Sequence, residues 1–160
     1  MIRRKTRSTR VPDKTLFRSA SAGASPAADD GDVPASVAAF DDLISQFITP
    51  FVAKTNELGC DDLKAQVALV NEAISKERNI LLCASKSKKP SDADLPKILE
   101  PVSSLMQKIV AIREKNRANK QFNHLSTLSE GINCLGWVIV SPTPAPFVNE
   151  ARASSEFYSN

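Results

Sequence analysis

The sequence predicts an all-α protein, an antiparallel six-helix bundle with a disordered N-terminal tail. Three observations carry this reading. Apolar residues recur every third or fourth position from Phe40 to Leu135, the spacing that gathers side chains on one face of a helix. Gly is scarce, at 5 of 160 residues, and aromatics make up only 6%, whereas sandwiches and barrels draw on turn glycines and aromatic or β-branched strand residues. The periodic stretches are joined by short connections, which makes neighbouring helices antiparallel. A length of 160 residues with 42% hydrophobic side chains suits one ordinary domain.

Residues 1–33 are rich in Arg, Ser, Ala, Asp and Gly, and Val11, Leu16 and Phe17 form no stripe. They read as a disordered basic tail and linker, with residues 34–160 as the helical bundle domain. Order is expected from Pro34. Ser36 is the candidate cap of a first helix whose buried stripe is Phe40, Leu43, Ile44, Phe47 and Phe51. Pro50 should kink that helix, and Gly59 should stop it. Asp61 or Asp62 starts a long second helix, with Leu63, Val67, Val70, Ile74, Ile80 and Leu81 inside, reaching about Ala84.

The basic loop Ser85 to Pro90 follows. Ser91 or Asp92 caps a short helix holding Leu95, Ile98 and Leu99, with Pro96 in its first turn and Pro101 as its boundary. Val102, Leu105, Met106, Ile109 and Ile112 make a fourth helix, which runs into a polar stretch from Arg113 to Lys120 that should project from the bundle end. Phe122, Leu125, Leu128, Ile132 and Leu135 make a fifth, closing in the apolar run Trp137–Val140, expected to be buried on several sides. Residues 141–146 read as an extended proline connection, and Phe147 to Tyr158 as a last helix with no stop signal before Asn160, as in a piece of a longer protein.

The formal net charge of +3 is carried by the tail: residues 1–32 hold seven Lys or Arg and four Asp, and the remainder is balanced. A domain-wide basic footprint for nucleic acid is therefore excluded. No apolar run approaches the ~20 residues of a membrane span, and residues 1–20 lack the apolar core of a secretory signal. Cys60, Cys83 and Cys134 are isolated from one another, without zinc spacing, and read as small buried hydrophobes in a reducing, cytosolic compartment.

No enzyme chemistry is legible. His124 is the sole histidine, ten residues from Cys134, which is ~15 Å along a helix axis and too far for a hydrogen bond. Asp41/Asp42 and Asp61/Asp62 sit at helix starts, where they complement the macrodipole. No phosphate-cradling or HExxH motif occurs. No cofactor or metal is implied. The chain reads as an interaction domain. His124 and Asn123 are either satisfied hydrogen-bonders or surface contacts, and Trp137 is either core or an exposed anchor. Lys86, Lys88 and Lys89 are either solvated or poised to meet an acidic surface. One alternative is a helical signalling scaffold whose basic tail docks on acidic lipid or protein surfaces. A small hydrolase is a third class, and the lone His argues against it.

The segment REKNRANKQFNHLSTLSEGINCLGWVIV, residues 113–140, is similar to the signature of the cyclase-associated protein N-terminal helical domain. Ala84–Ser85 with Ser87–Pro90, Phe40–Asp41 with Pro50, Pro142–Val148 and Glu156–Tyr158 extend the resemblance over residues 34–160. The resemblance implies a six-helix bundle that dimerises, binds actin and assists cofilin in filament disassembly, in the cytoplasm at the cytoskeleton. On that reading Lys86, Lys88, Lys89, Arg113 and Arg117 supply charge to acidic actin, and Glu114, Asn116, Asn123 and His124 supply directional hydrogen bonds. The family's preceding heptad helix with its Arg-Leu-Glu element is not seen in residues 1–33, so adenylyl cyclase binding does not carry over.

Overall fold

The computed structural model describes residues 33–159, and the expectations for a disordered tail fall, Val33 apart, outside them. Six α-helical segments follow in order: α1 (Ala35–Leu43), α2 (Thr49–Glu57), α3 (Asp61–Lys86), α4 (Leu95–Lys115), α5 (Phe122–Gly131) and α6 (Pro144–Glu156). A π-helical turn, Ile44–Ile48, joins α1 to α2, and 3₁₀ turns, Ile132–Ile139, follow α5. The all-α class holds, and no strand occurs among the described residues.

The first two segments are one continuous rod, because each end residue of the π turn keeps right-handed helical backbone angles. Pro50 explains the π turn. It has no N–H to offer the Gln46 carbonyl and its ring crowds that group, and widening the turn upstream relieves both. Only one side of the rod meets the core. Phe40, Ile44 and Ile48 pack on the core, but Leu43, Phe47 and Phe51, expected inside, face solvent, with Phe47 65% exposed. Ser36 is no cap: α1 begins at Ala35 behind Pro34, with no side-chain cap bond. Gly59 ends the rod as expected, at φ +73°, the left-handed conformation that L side chains avoid.

Helix α3 is the central element. Val70, Ala73 and Ile74 meet Val102, Leu105 and Ile109 of α4, and Ile132 and Leu135 close the same core cluster. A second cluster, Leu63, Val67 and Leu125, sits towards the α3 N-terminus. The antiparallel sense of α3 and α4 is fixed by Gln66, near one's start, which donates to the Ile109 carbonyl near the other's end at 3.0 Å.

Pro101, expected as a helix boundary, lies inside α4. The short third helix and the fourth are thus one rod, and the whole bundle has five rods. The proline removes one bond to the Lys97 carbonyl, on an exposed side where water replaces it, while Val102 and Leu105 stay packed. The last helix starts earlier than expected, because Pro144 and Pro146 fall in its first turn, where the missing N–H groups have no helical acceptor. The run Trp137–Val140 is 3₁₀ up to Ile139 and extended at Val140, and none of it is fully buried, with Ile139 65% exposed, which corrects the expectation of burial on several sides. The cysteine expectation is corrected too: Cys83 is exposed, and Cys60 and Cys134 are half-buried.

Candidate functional site: a polar bundle end and an apolar groove

The anticipated contact residues divide into two sets at opposite ends of α3. Asn123 and His124, in the first turn of α5, are exposed and line a groove of about 360 Å³. Its walls include Phe51 and Leu58 of the first rod, Leu63 of α3, and Tyr158. Lys86 ends α3, and Lys88 and Lys89 follow in the connecting loop, all exposed. Leu63 and Lys86 are separated by 23 residues of helix, or ~35 Å at 1.5 Å per residue. The basic loop and the His124 groove therefore cannot touch one small partner surface together.

At the groove end, α4 stops at Lys115 and a short turn leads to α5. Asn119 pins that turn to the α3 N-terminus, donating from Nδ2 to Asp62 Oδ2 at 2.9 Å, and its own Oδ1 accepts the Gln121 N–H at 2.8 Å. Asn116 is inward-looking, donating to the Ile112 carbonyl at 2.9 Å. Arg113 is 19% exposed and donates to Glu130 at 2.5 Å and to Glu114 at 2.8 Å. Glu114 also accepts both Arg117 guanidinium donors. The two arginines hold the Glu114 carboxyl below the usual carboxylate range, Arg117 first.

Sequence reasoning thus pooled residues of unequal kind. Arg113 and Asn116 are tied into the fold, whereas Arg117, Asn123 and His124 present themselves to solvent. It also missed the apolar half of the groove. Phe51, expected in the buried stripe, is 39% exposed and faces the groove beside Leu58, at 54%.

Two buried polar residues of α3 also escaped notice. Gln66 is fully buried, and its Nε2 lies within 3.1 Å of the Leu125 carbonyl and of Ser129 Oγ as well as near Ile109. Glu77 is fully buried, and burial pushes its carboxyl up to about 7, opposed by the Trp137 indole. The signal was present: both occupy stripe positions, Gln66 beside Leu63 and Val67, Glu77 between Ile74 and Leu81. Among the described residues no group of three His, Cys, Asp or Glu could hold a metal ion, and no helix is long and apolar enough to cross a membrane.

Comparison with known proteins agrees with this geometry. The family described as CAP, N-terminal domain, matches residues 40–160. The chain is 43% identical over 130 residues to adenylyl cyclase-associated protein of Dictyostelium discoideum, covering 81% of this chain and 28% of that protein. It is 38% identical over 128 residues to human adenylyl cyclase-associated protein 2, covering 80% of this chain and 27% of that protein. The chain therefore spans little more than a quarter of the curated relatives it matches. The solved N-terminal domain of the Dictyostelium discoideum protein superposes with a TM-score of 0.75 at 43% identity, over 78% of this chain and 70% of that one. A crystal structure of the N-terminal domain of CAP that indicates variable oligomerisation superposes with a TM-score of 0.77, over 79% of this chain and 68% of that one. Sequence and fold agree over the whole bundle, and the chain belongs to the cyclase-associated protein family, to which it corresponds at the N-terminal domain.

Proposed function

We propose that this chain is a non-enzymatic interaction domain that binds actin and assists cofilin-driven filament disassembly. The observation that carries the reading is the groove end of the bundle. There, Phe51 and Leu58 are left uncovered beside the exposed polar residues Asn123 and His124, with Arg117 exposed in the turn that precedes α5. Apolar side chains ringed by polar ones are the anatomy of a protein interface, and family membership supports actin as the partner. The basic loop Lys86, Lys88, Lys89 supplies a second contact to an acidic surface, and the ~35 Å between the two ends suits a partner as large as a filament. The uncovered Leu43 and Phe47 supply the surface for a homodimer. The setting is the cytoplasm, at the cytoskeleton.

The test is single-filament imaging with cofilin present. Variant K88A/K89A and variant R117A/N123A/H124A leave the core untouched, so both are expected to fold. Each should slow disassembly several-fold, and together they should abolish the acceleration. Normal disassembly with the combined variant would remove these residues from the interface and this reading with them.

A further inference from the structure

The connection between α3 and α4 interleaves three serines with three lysines, in the run Ser85-Lys86-Ser87-Lys88-Lys89-Pro90-Ser91. The three hydroxyls are differently placed. Ser85 is still helical and donates to the Leu82 carbonyl at 2.8 Å. Ser91 donates to Asp94 Oδ2 at 2.7 Å and accepts the Asp94 N–H at 3.2 Å, so its hydroxyl closes the turn that leads into α4. Ser87 stands just past the end of α3, exposed, and its hydroxyl makes no hydrogen bond among the described residues. Its backbone is extended, at φ −129° and ψ 162°. Residues 88–91 carry no regular structure, and Lys88 and Lys89 are exposed.

We propose that Ser87 is a phosphorylation site for a protein kinase that selects serine followed by basic residues, and that the phosphate cancels most of the charge of the basic loop. A kinase must bring the acceptor hydroxyl in line with the γ-phosphorus of ATP, which calls for an unengaged hydroxyl on a segment that can enter a cleft. Ser87 meets both conditions. Ser91 would first have to break the turn it closes, and Ser85 the last turn of α3. Lys86 before Ser87, and Lys88 and Lys89 after it, offer the charge that an acidic substrate groove reads. In the reaction Ser87 Oγ attacks the γ-phosphorus of ATP. An O–P bond forms, the bond from that phosphorus to its bridging oxygen breaks, ADP leaves, and the hydroxyl proton passes to the kinase's base.

The effect of the phosphate follows from charge. Lys86, Lys88 and Lys89 give the loop three positive charges. A phosphoserine adds about −1.5 to −2 at pH 7, which leaves roughly +1. The α3 C-terminus opposes the new anion with about half an elementary charge, and three full lysine charges within two residues outweigh it. The phosphate therefore draws the lysines to itself rather than unwinding α3, and the loop loses its pull on an acidic surface. That loss bears on filaments only if the loop contacts actin, as proposed above; the site itself does not depend on that reading.

The test treats the full chain with ATP and a purified kinase of this class. The peptide spanning residues 80–100 is read by fragmentation mass spectrometry, so labelling in residues 1–32 does not enter. Phosphate on Ser87 is expected, and the same peptide from S87A should stay unlabelled. Phosphate on Ser85 or Ser91 instead, or an unlabelled wild-type peptide, would overturn the site. Kinase-treated wild type is then compared with kinase-treated S87A and with K88A/K89A in filament disassembly with cofilin. Treated wild type should be about threefold slower than treated S87A at low salt, with the gap closing as salt rises. Slowing by K88A/K89A but not by the phosphate would overturn the charge switch. No slowing by either would sink the actin reading of the loop, and the mapped phosphate would still decide the site.

Discussion

At the scale of single residues, the sharpest contrast is between polar groups the fold has absorbed and polar groups it has left outside. Gln66 spends its amide on two carbonyls and one hydroxyl from α4 and α5. Replacing it by Ala strips buried carbonyls of their donor and opens a cavity. Q66A should therefore lose about 2–4 kcal/mol in urea unfolding. Arg113 and Arg117 share Glu114, but only Arg113 reaches Glu130 from a mostly buried position. R113A should cost about 1 kcal/mol, and R117A less than about 0.5 kcal/mol, in the same measurement. Arg117 is thus the cleaner probe of partner binding. The cysteines separate similarly. Cys83 is exposed, and the Cys134 thiol is pushed up by burial. Alkylation followed by mass spectrometry should label Cys83 first and Cys134 slowly, since the thiolate is the reacting form.

At the scale of elements, two prolines and one glycine decide the course of the helices. Gly59 stands at φ +73° with nothing within 4 Å of where a Cβ would be, so a side chain there meets no clash and only an unfavourable backbone. G59A should cost about 1 kcal/mol, read as a lower urea midpoint with an unchanged slope. Pro50 and Pro101 look alike in sequence and act differently. Pro50 lies in the first turn of α2, directly after the π turn that accommodates it, whereas Pro101 lies inside the 21-residue helix α4, which continues past it. The difference lies in what packs around each. Buried Val102 and Leu105 hold α4 against α3 beside Pro101, while the side chains around Pro50 are mostly exposed and the turn is free to widen.

At the scale of the whole molecule, two buried or half-buried carboxyls give the bundle opposite responses to acid. The Asp41 carboxyl is held below its usual value of 3.8 by the Arg78 hydrogen bond. Its contribution is present above that pH and fades as pH falls through the lower folded value. Glu77, raised from 4.5 to about 7, contributes fully below 4.5 and is lost on the way to about 7. Thermal unfolding should therefore be most favourable to the fold near pH 5 and decline towards pH 8, although the folded part carries no net charge at neutrality. A midpoint that rose steadily from pH 5 to 8 would contradict this. The same scale governs recognition. The basic loop and the His124 groove belong to opposite ends of α3, so variants at the two ends should act independently on filament disassembly.

Legible in the sequence were the all-α class, the antiparallel sense of neighbouring helices and the stop at Gly59, but not the continuity of α4 through Pro101. The legible features follow from local chemistry: apolar spacing near 3.6 residues, turn residues, and backbone freedom at one glycine. The sequence also held the family signature from Arg113 to Val140. Only the tertiary structure decided which side of the first rod is buried: Phe40, Ile44 and Ile48 meet the core and Leu43, Phe47 and Phe51 do not, although all have helical spacing. It alone divided the contact residues between two ends, since distance along a helix means little until the partner helix is known. It alone placed Gln66 and Glu77 inside, because a polar residue at a stripe position is buried or solvated according to what the neighbouring helices offer it.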